Sequence, residues 1–257
     1  MTEYRFASYP SLVDRGVLIT GGATGIGESI VEHFVAQGAR VAFVDLAVEA
    51  GQALAAKLAA AACHAPRFIA CDLRDIGALR QAVGDARAAV GPITALINNA
   101  ARDDRHTVEQ VESADFDERI AFNLKHQYFA AQAVVPDMRA AGGGSIVCMS
   151  SVSWMLPAAG MPVYLSAKAG CFGLARGLAR DLGAYGIRVN AISPGWIMTE
   201  RQIRLWLTPE SERNLLDGQC LKEKLYPPDI ARMCLWLAAD DSRMATAQNF
   251  VVDGGWT

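Results

Sequence analysis

Tyr164 and Lys168 stand at positions i and i+4 where an Ala-rich helical stretch opens. Residues at that spacing share a helix face, so a phenol and an ammonium can point into one cleft. Ser151 lies upstream, after a β-branched run, and adds a hydroxyl. Taken singly these residues are ordinary, because many helix surfaces carry a Tyr and a Lys and a Ser after a strand is a common cap. Joined to a nucleotide-binding loop they form a proton-transfer set. The stretch Thr20-Gly21-Gly22-Ala23-Thr24-Gly25-Ile26-Gly27 supplies such a loop. Gly21 permits a tight turn, Gly25 lets the backbone approach a pyrophosphate, and Gly27 lets the following helix pack close to a sheet. The helix N-terminus then offers N–H groups and a positive dipole end to phosphates, with Thr24 and Ile26 completing the contact set.

Asp45 ends the next predicted strand, close to the offset of about 20 residues expected of a ribose-binding acid. Its carboxylate can accept from both adenosine ribose hydroxyls and would repel a 2′-phosphate, which selects NAD and leaves NADP as a secondary cofactor. No Lys or Arg among Gly22, Ala23 and Thr24 offsets that repulsion. Asp72 and Leu73, after the third strand, are placed to meet the adenine edge. Asp72 has a second reading, as the N-cap of the helix that follows.

The elements that must position these groups alternate along the chain. Strands are expected at 16–20, 41–45, 67–70, 93–97, 145–149, 187–192 and 249–252. Helices are expected at 25–37, through the Ala-rich segment to about 62, at 76–90, 114–140, 163–185 and 228–238. Near-continuous apolar strands between helices predict an α/β fold: one Rossmann-type, doubly wound parallel sheet of about seven strands with helices on both faces. Crossovers should be right-handed. The stretch 198–225 breaks the alternation and reads as a small lid insertion. Residues 1–257 are expected to be a single NAD-binding catalytic domain carrying that lid.

Composition excludes other classes. The 257 residues hold 24 Lys and Arg against 27 Asp and Glu, a net charge of −3 with no basic block, so nucleic acid is not an expected partner. A hydrophobic fraction of 52% is too high for a disordered chain. No apolar run reaches the roughly 18–20 residues that span a bilayer. The N-terminal region, with Glu3, Arg5, Asp14 and Arg15, has no apolar core of a secretory signal. Six scattered cysteines lack metal or redox-pair spacing and are expected as free thiols in a reducing cytoplasm. The four histidines form no helical ligand pair, so no metal is expected.

With these residues in that order, the sequence resembles the short-chain dehydrogenase/reductase family over roughly residues 12–257. The resemblance is carried by the glycine loop, Asn98-Asn99-Ala100, Asn123, Ser151, Tyr164-x-x-x-Lys168 and Pro194-Gly195. It implies Tyr164 as the base in oxidation and the acid in reduction. A free phenol is a poor base at neutral pH, and Lys168 together with the nicotinamide charge is expected to lower its pKa. Lys168 would also hold the nicotinamide ribose, Ser151 the substrate oxygen, and Asn123 a water of a proton relay. Asn99 and Ala100 would tie the fourth strand to the cofactor region, and Pro194, Gly195, Ile197 and Thr199 would hold the carboxamide. One departure is Ala101, where the family has Gly; a positive φ there would cost about 1 kcal/mol.

The charged run Arg102-Asp103-Asp104-Arg105-His106 lies where an open sheet places ligand contacts. It suits a polyhydroxylated substrate, although its charges can equally pair with each other on a solvated loop, and His106 also reads as a structural hydrogen-bonding residue. Segments including Asp117-Glu118-Arg119-Ile120 and Leu207-Thr208-Pro209-Glu210 resemble bacterial aldose 1-dehydrogenases. That implies oxidation of an anomeric hydroxyl, with Asp103, His106, Ser153, Trp154, Trp196, Gln202 and Trp206 joining Ser151 and Tyr164 at the substrate. The alternatives are a dehydrogenase or reductase of another polar alcohol, polyol or ketone, and a non-catalytic nucleotide sensor. The resemblance also implies a homotetramer.

Overall fold

The computed structural model describes residues 5–257; Glu3, used above in reading the N-terminus, and the start of the expected 1–257 domain lie outside them. The strands are β1 (Gly16–Thr20), β2 (Arg40–Asp45), β3 (Arg67–Ala70), β4 (Ala95–Asn98), β5 (Gly144–Met149), β6 (Ile187–Pro194) and β7 (Asn249–Val252). They form one sheet in the order β3-β2-β1-β4-β5-β6-β7, and every pairing is parallel. The direction of winding reverses between β1 and β4, the point where such sheets open a crevice at their carboxyl ends. Thr20 pairs with both Val44 and Asn98, so the glycine loop and the Asn98–Asn99 corner leave the sheet side by side.

The helices on the β1 side are α1 (Gly25–Ala36), α2 (Val48–Ala59) and α9 (Pro227–Ala238). Ile30, Phe34, Ile230 and Leu237 of this layer are buried against Val17, Ile19 and Phe43. The opposite face holds α3 (Ile76–Val90), α5 (His126–Ala140) and α6 (Pro162–Leu182). Leu79, Val83, Val134 and Ala175 pack there on Leu18, Leu96 and Ile146. A strand whose residues alternate between two buried layers is apolar along most of its length, and β1 and β4 are buried throughout, with polar Thr20 and Asn98 only at their carboxyl ends. Each fully buried Leu, Ile or Phe contributes about 1.5–3 kcal/mol. Among the described residues no helix is long and apolar enough to cross a membrane.

Two expectations are corrected. The helix predicted over 114–140 is two α-helices, α4 (Ser113–Ile120) and α5, joined by a π-turn at Ala121–Lys125. A π-turn inserts an extra residue without breaking the apolar period enough to be seen in sequence, and such turns gather at functional sites. The fourth strand starts at Ala95 rather than Ile93, because the Ile93 N–H donates to the Asp137 carboxylate at 3.1 Å. The segment expected as a lid folds as α7 (Glu200–Trp206) and α8 (Pro209–Gly218).

Candidate active site

A cavity of about 1350 Å³ opens at the carboxyl ends of the strands. Its nucleotide half is built by the glycine loop. Gly25 has φ +61°, and a Cβ there would also lie 3.2 Å from the Thr199 methyl. A Cβ on Gly27 would fall 1.8 Å from the Gly21 carbonyl oxygen, so only glycine lets α1 approach the loop. Thr24, the N-cap of α1, makes no side-chain cap, which leaves the first-turn N–H groups to another acceptor. This uncapped, glycine-lined helix end fits a pyrophosphate. Gly21, Thr24, Gly25, Ile26, Gly27, Asp45, Leu73, Asn99 and Ala100 line the cavity, as do Pro194, Gly195, Ile197 and Thr199.

The Asp45 carboxylate is oriented by backbone: Oδ2 accepts from Ala23 N–H and Oδ1 from Ala47 N–H, each at 3.0 Å. Asn99 Nδ2 donates to Gly21 O at 2.9 Å and to Thr20 O at 3.1 Å. Asp72 is not among the cavity-lining residues. Its carboxylate accepts from the Arg74 guanidinium at 2.7 Å and from the Arg74 backbone at 3.0 Å. The N-cap of α3 is Asp75, which accepts from Ala78 N–H at 3.1 Å, so the reading of Asp72 as that N-cap is corrected. Ala101 carries no positive φ, so the departure from glycine costs nothing.

Ser151, Tyr164 and Lys168 meet on the cavity wall between β5 and α6. Ser151 is the N-cap of a short 3-10 turn, and Ser153 Oγ donates to its Oγ at 2.9 Å. The Ser151 hydroxyl faces the Tyr164 phenol closely enough to favour its ionised form. The Lys168 ammonium donates to Met149 O at 2.8 Å and lies 5.6 Å from the Tyr164 ring centre. Lys168 is buried to 1% exposure, and burial draws its pKa below the usual lysine value. Burial pushes the Tyr164 phenol up, and the Asp103 carboxylate adds to this; the Ser151 hydroxyl and the Arg105 charge oppose it. The protein's own groups therefore hold the phenol above its ordinary value, against the lowering expected from Lys168. Asn123 lies in the π-turn, outside the cavity lining. Its side chain accepts from Arg102 N–H and donates to Arg119 O, both at 2.9 Å.

The other end of the cavity is lined by residues of α7. Gln202 accepts from the Trp196 indole at 2.9 Å and donates to Asp103 at 2.8 Å, while Arg201 pairs with both Asp103 and Asp104. Burial raises the Asp103 carboxyl, but the Gln202 and Arg201 hydrogen bonds outweigh it and hold the group below the usual carboxylate range. Arg105 sits 5.1 Å from the Trp206 ring centre. Asp103, Ser153, Trp196, Gln202 and Trp206 all line the cavity. His106 and Trp154 do not. The His106 imidazole accepts from Val163 N–H at 3.4 Å and bonds Asp104 O at 3.1 Å, so it braces the start of α6. The Trp154 indole is spent on Ser150 Oγ at 3.0 Å. Sequence reasoning missed Arg201, Arg204 and Trp256, which also line the cavity. They lie in the lid and the C-terminal segment, where no periodicity signals a side chain's direction.

Residues 21–257 match a family model described as Enoyl-(Acyl carrier protein) reductase. The chain is 51% identical over 249 residues to "Probable galactose dehydrogenase GalD" of Rhizobium meliloti, covering 97% of each. It is 42% identical over 250 residues to D-xylose 1-dehydrogenase of Caulobacter vibrioides, covering 97% of this chain and 98% of the relative. A D-threitol dehydrogenase of Mycolicibacterium smegmatis is 35% identical, with 93% and 92% covered. Among solved structures, a blue fluorescent protein from a metagenomic library in complex with NADPH superposes with TM-score 0.88 at 32% identity, covering 96% and 99%. A short-chain type dehydrogenase/reductase from Mycobacterium ulcerans gives TM-score 0.91 at 26% identity, covering 97% and 91%. By its sheet, its glycine loop and these relatives, the chain belongs to the short-chain dehydrogenase/reductase family and is an oxidoreductase of that kind.

Proposed function

We propose that the chain is an NAD-dependent sugar 1-dehydrogenase, oxidising the anomeric hydroxyl of a cyclic pentose or hexose to the aldonolactone. The observation that carries this reading is the juxtaposition of the Ser151–Tyr164–Lys168 set with a polar, tryptophan-bearing substrate half containing Asp103, Ser153, Trp196, Gln202 and Trp206. The names of the galactose and D-xylose dehydrogenase relatives support it.

In this reading Ser151 donates to the C1 oxygen as charge develops there. Lys168 stabilises the Tyr164 phenolate, which takes the C1 hydroxyl proton and becomes the neutral phenol as the hydride leaves C1. A bound nicotinamide supplies the hydride acceptor. Ser153 orients Ser151 through their hydroxyl contact, and Asn123 contributes to a proton relay behind Lys168. Asp103, Gln202 and Trp196 present acceptor, donor and ring to the sugar, and Trp206 forms part of the wall. At the adenosine end, Asp45 with Glu28 and Glu32 makes a negative field that favours NAD over NADP. The single catalytic domain with a lid at about 198–225, the homotetramer and the cytoplasmic location belong to the same proposal.

The experiment is a panel of aldopentoses, aldohexoses and polyols, with NAD⁺ and NADP⁺ in parallel, followed by the absorbance of the reduced nicotinamide. Turnover confined to polyols would sink the sugar reading. The D-threitol dehydrogenase relative favours that second reading, a dehydrogenase of another polar alcohol, polyol or ketone.

A further inference from the structure

Behind Lys168, on the side away from the cavity, lies a buried polar side chain that the chemistry above does not use. Gln127 is fully buried on the first turn of α5, directly after the π-turn. Its Nε2 lies 3.2 Å from Asn123 O, 3.4 Å from Met149 O and 3.2 Å from Cys171 Sγ. All three neighbours are acceptors, which fixes which end of the amide faces them. Its backbone carbonyl accepts from Asn98 Nδ2 at 3.2 Å. One residue thus ties the π-turn, the end of β5, the middle of α6 and the end of β4.

Met149 O is the shared point. It accepts from the Lys168 ammonium at 2.8 Å as well as from the Gln127 amide. A carbonyl has two lone pairs and can accept from both donors. The Cys171 thiol closes the ring by donating to Asn123 O at 3.5 Å. Ser150 Oγ holds the Lys168 backbone carbonyl at 2.7 Å. The ammonium therefore hangs from a carbonyl whose peptide is held on one side by the Ser150 N–H bond to Ile192 O at 2.7 Å and touched on the other by the Gln127 amide at 3.4 Å. The Gln127 amide is held at its Nε2 end only, since its Oε1 is buried without a hydrogen-bond partner among the described residues.

We propose that Gln127 is a positioning residue for Lys168: by bridging Met149 O, which accepts the ammonium, to the π-turn carbonyl of Asn123 and to Cys171 of α6, it keeps the ammonium in place beside Tyr164. It touches neither cavity nor substrate. The inference rests on the reading of Lys168 as the group that tunes Tyr164.

The test uses Gln127→Met, which keeps length and volume without the amide, and Gln127→Asn, which keeps an amide of shorter reach. Displacement of a catalytic group by about 1 Å can cost on the order of 100-fold in rate. For Gln127→Met the expected result is a kcat roughly 10- to 100-fold lower, with KM for NAD⁺ and for the substrate within about threefold of the parent. Gln127→Asn should recover part of the lost kcat. A kcat within about twofold of the parent, or a loss carried wholly by KM, overturns the proposal. If the Met variant fails to fold, the same kcat and KM split in Gln127→Asn decides. A crystal structure of either variant gives a readout independent of substrate: separation of Lys168 Nζ from Met149 O beyond hydrogen-bond distance supports the inference, and an unmoved pair overturns it. A parent protein inactive on every sugar and polyol with NAD⁺ would count against the functional reading, and the crystal structure would still judge Gln127.

Discussion

Asp45→Asn isolates the charge that the adenosine end would use to choose its cofactor. The substitution preserves shape but leaves one acceptor oxygen where two are engaged, by Ala23 N–H and Ala47 N–H at 3.0 Å each. One backbone donor therefore loses its partner, at about 0.5–1.5 kcal/mol. That should lower the midpoint of thermal unfolding by a few degrees, roughly 2–4 °C per kcal/mol in a chain of this size class. The larger effect is on selectivity. Two unit charges about 4 Å apart repel by about 1 kcal/mol in bulk water and about 4 kcal/mol at an effective dielectric of about 20. Asp45 is half-buried, so the penalty on a 2′-phosphate lies between these limits. At about 1.4 kcal/mol per tenfold, this is roughly 5- to 1000-fold in favour of NAD⁺. Ribose hydroxyls meanwhile lose charge-assisted hydrogen bonds, worth about 1 kcal/mol more than neutral ones, so NAD⁺ itself should weaken by about fivefold. The assay is kcat/KM for both cofactors at one fixed substrate concentration, with dissociation constants for NAD⁺ and NADP⁺ from titration. A parent that uses both cofactors equally, or an Asn variant with an unchanged NAD⁺ to NADP⁺ ratio, would refute the reasoning.

Tyr164→Phe should lower kcat by about 10²–10⁴-fold while NAD⁺ affinity stays within a few-fold, and near-parental turnover would remove Tyr164 as the base. Gly25→Ala combines a left-handed backbone with a Cβ 3.2 Å from Thr199, so it should cost about 1–2 kcal/mol of stability and raise KM for NAD⁺, checked by thermal unfolding and kinetics. Asp103→Asn removes a charge that raises the Tyr164 pKa. Oxidation needs the phenolate, so kcat rises with pH through that pKa. The rise should therefore come at lower pH in the variant, and a profile displaced to higher pH would contradict the electrostatics.

Much of the fold was legible because its signals are local. Strand and helix alternation, the glycine loop before α1 and the i, i+4 spacing of Tyr164 and Lys168 are properties of short segments, and β3, α3 and β7 fall at Arg67–Ala70, Ile76–Val90 and Asn249–Val252 as predicted. The π-turn was hidden, since one extra residue hardly disturbs an amphipathic pattern that continues on both sides. Loop side chains were harder to read. Asp72, His106 and Trp154 have the chemistry of ligand-binding side chains, and the fold also gives each a partner within the protein: Arg74, Val163 N–H and Ser150.

The sequence by itself determined which groups are available: a phenol, an ammonium and a hydroxyl beside a glycine loop, and an acid at the end of β2. These follow from residue type and from periods of two and 3.6. Tertiary structure decided which of them face one another. The Trp196–Gln202–Asp103–Arg201 lid contact joins segments nearly a hundred positions apart, and Gln127 meets Lys168 only where a π-turn, a strand end and a helix converge. Such contacts depend on where long-range packing brings the backbone, and no local pattern encodes that.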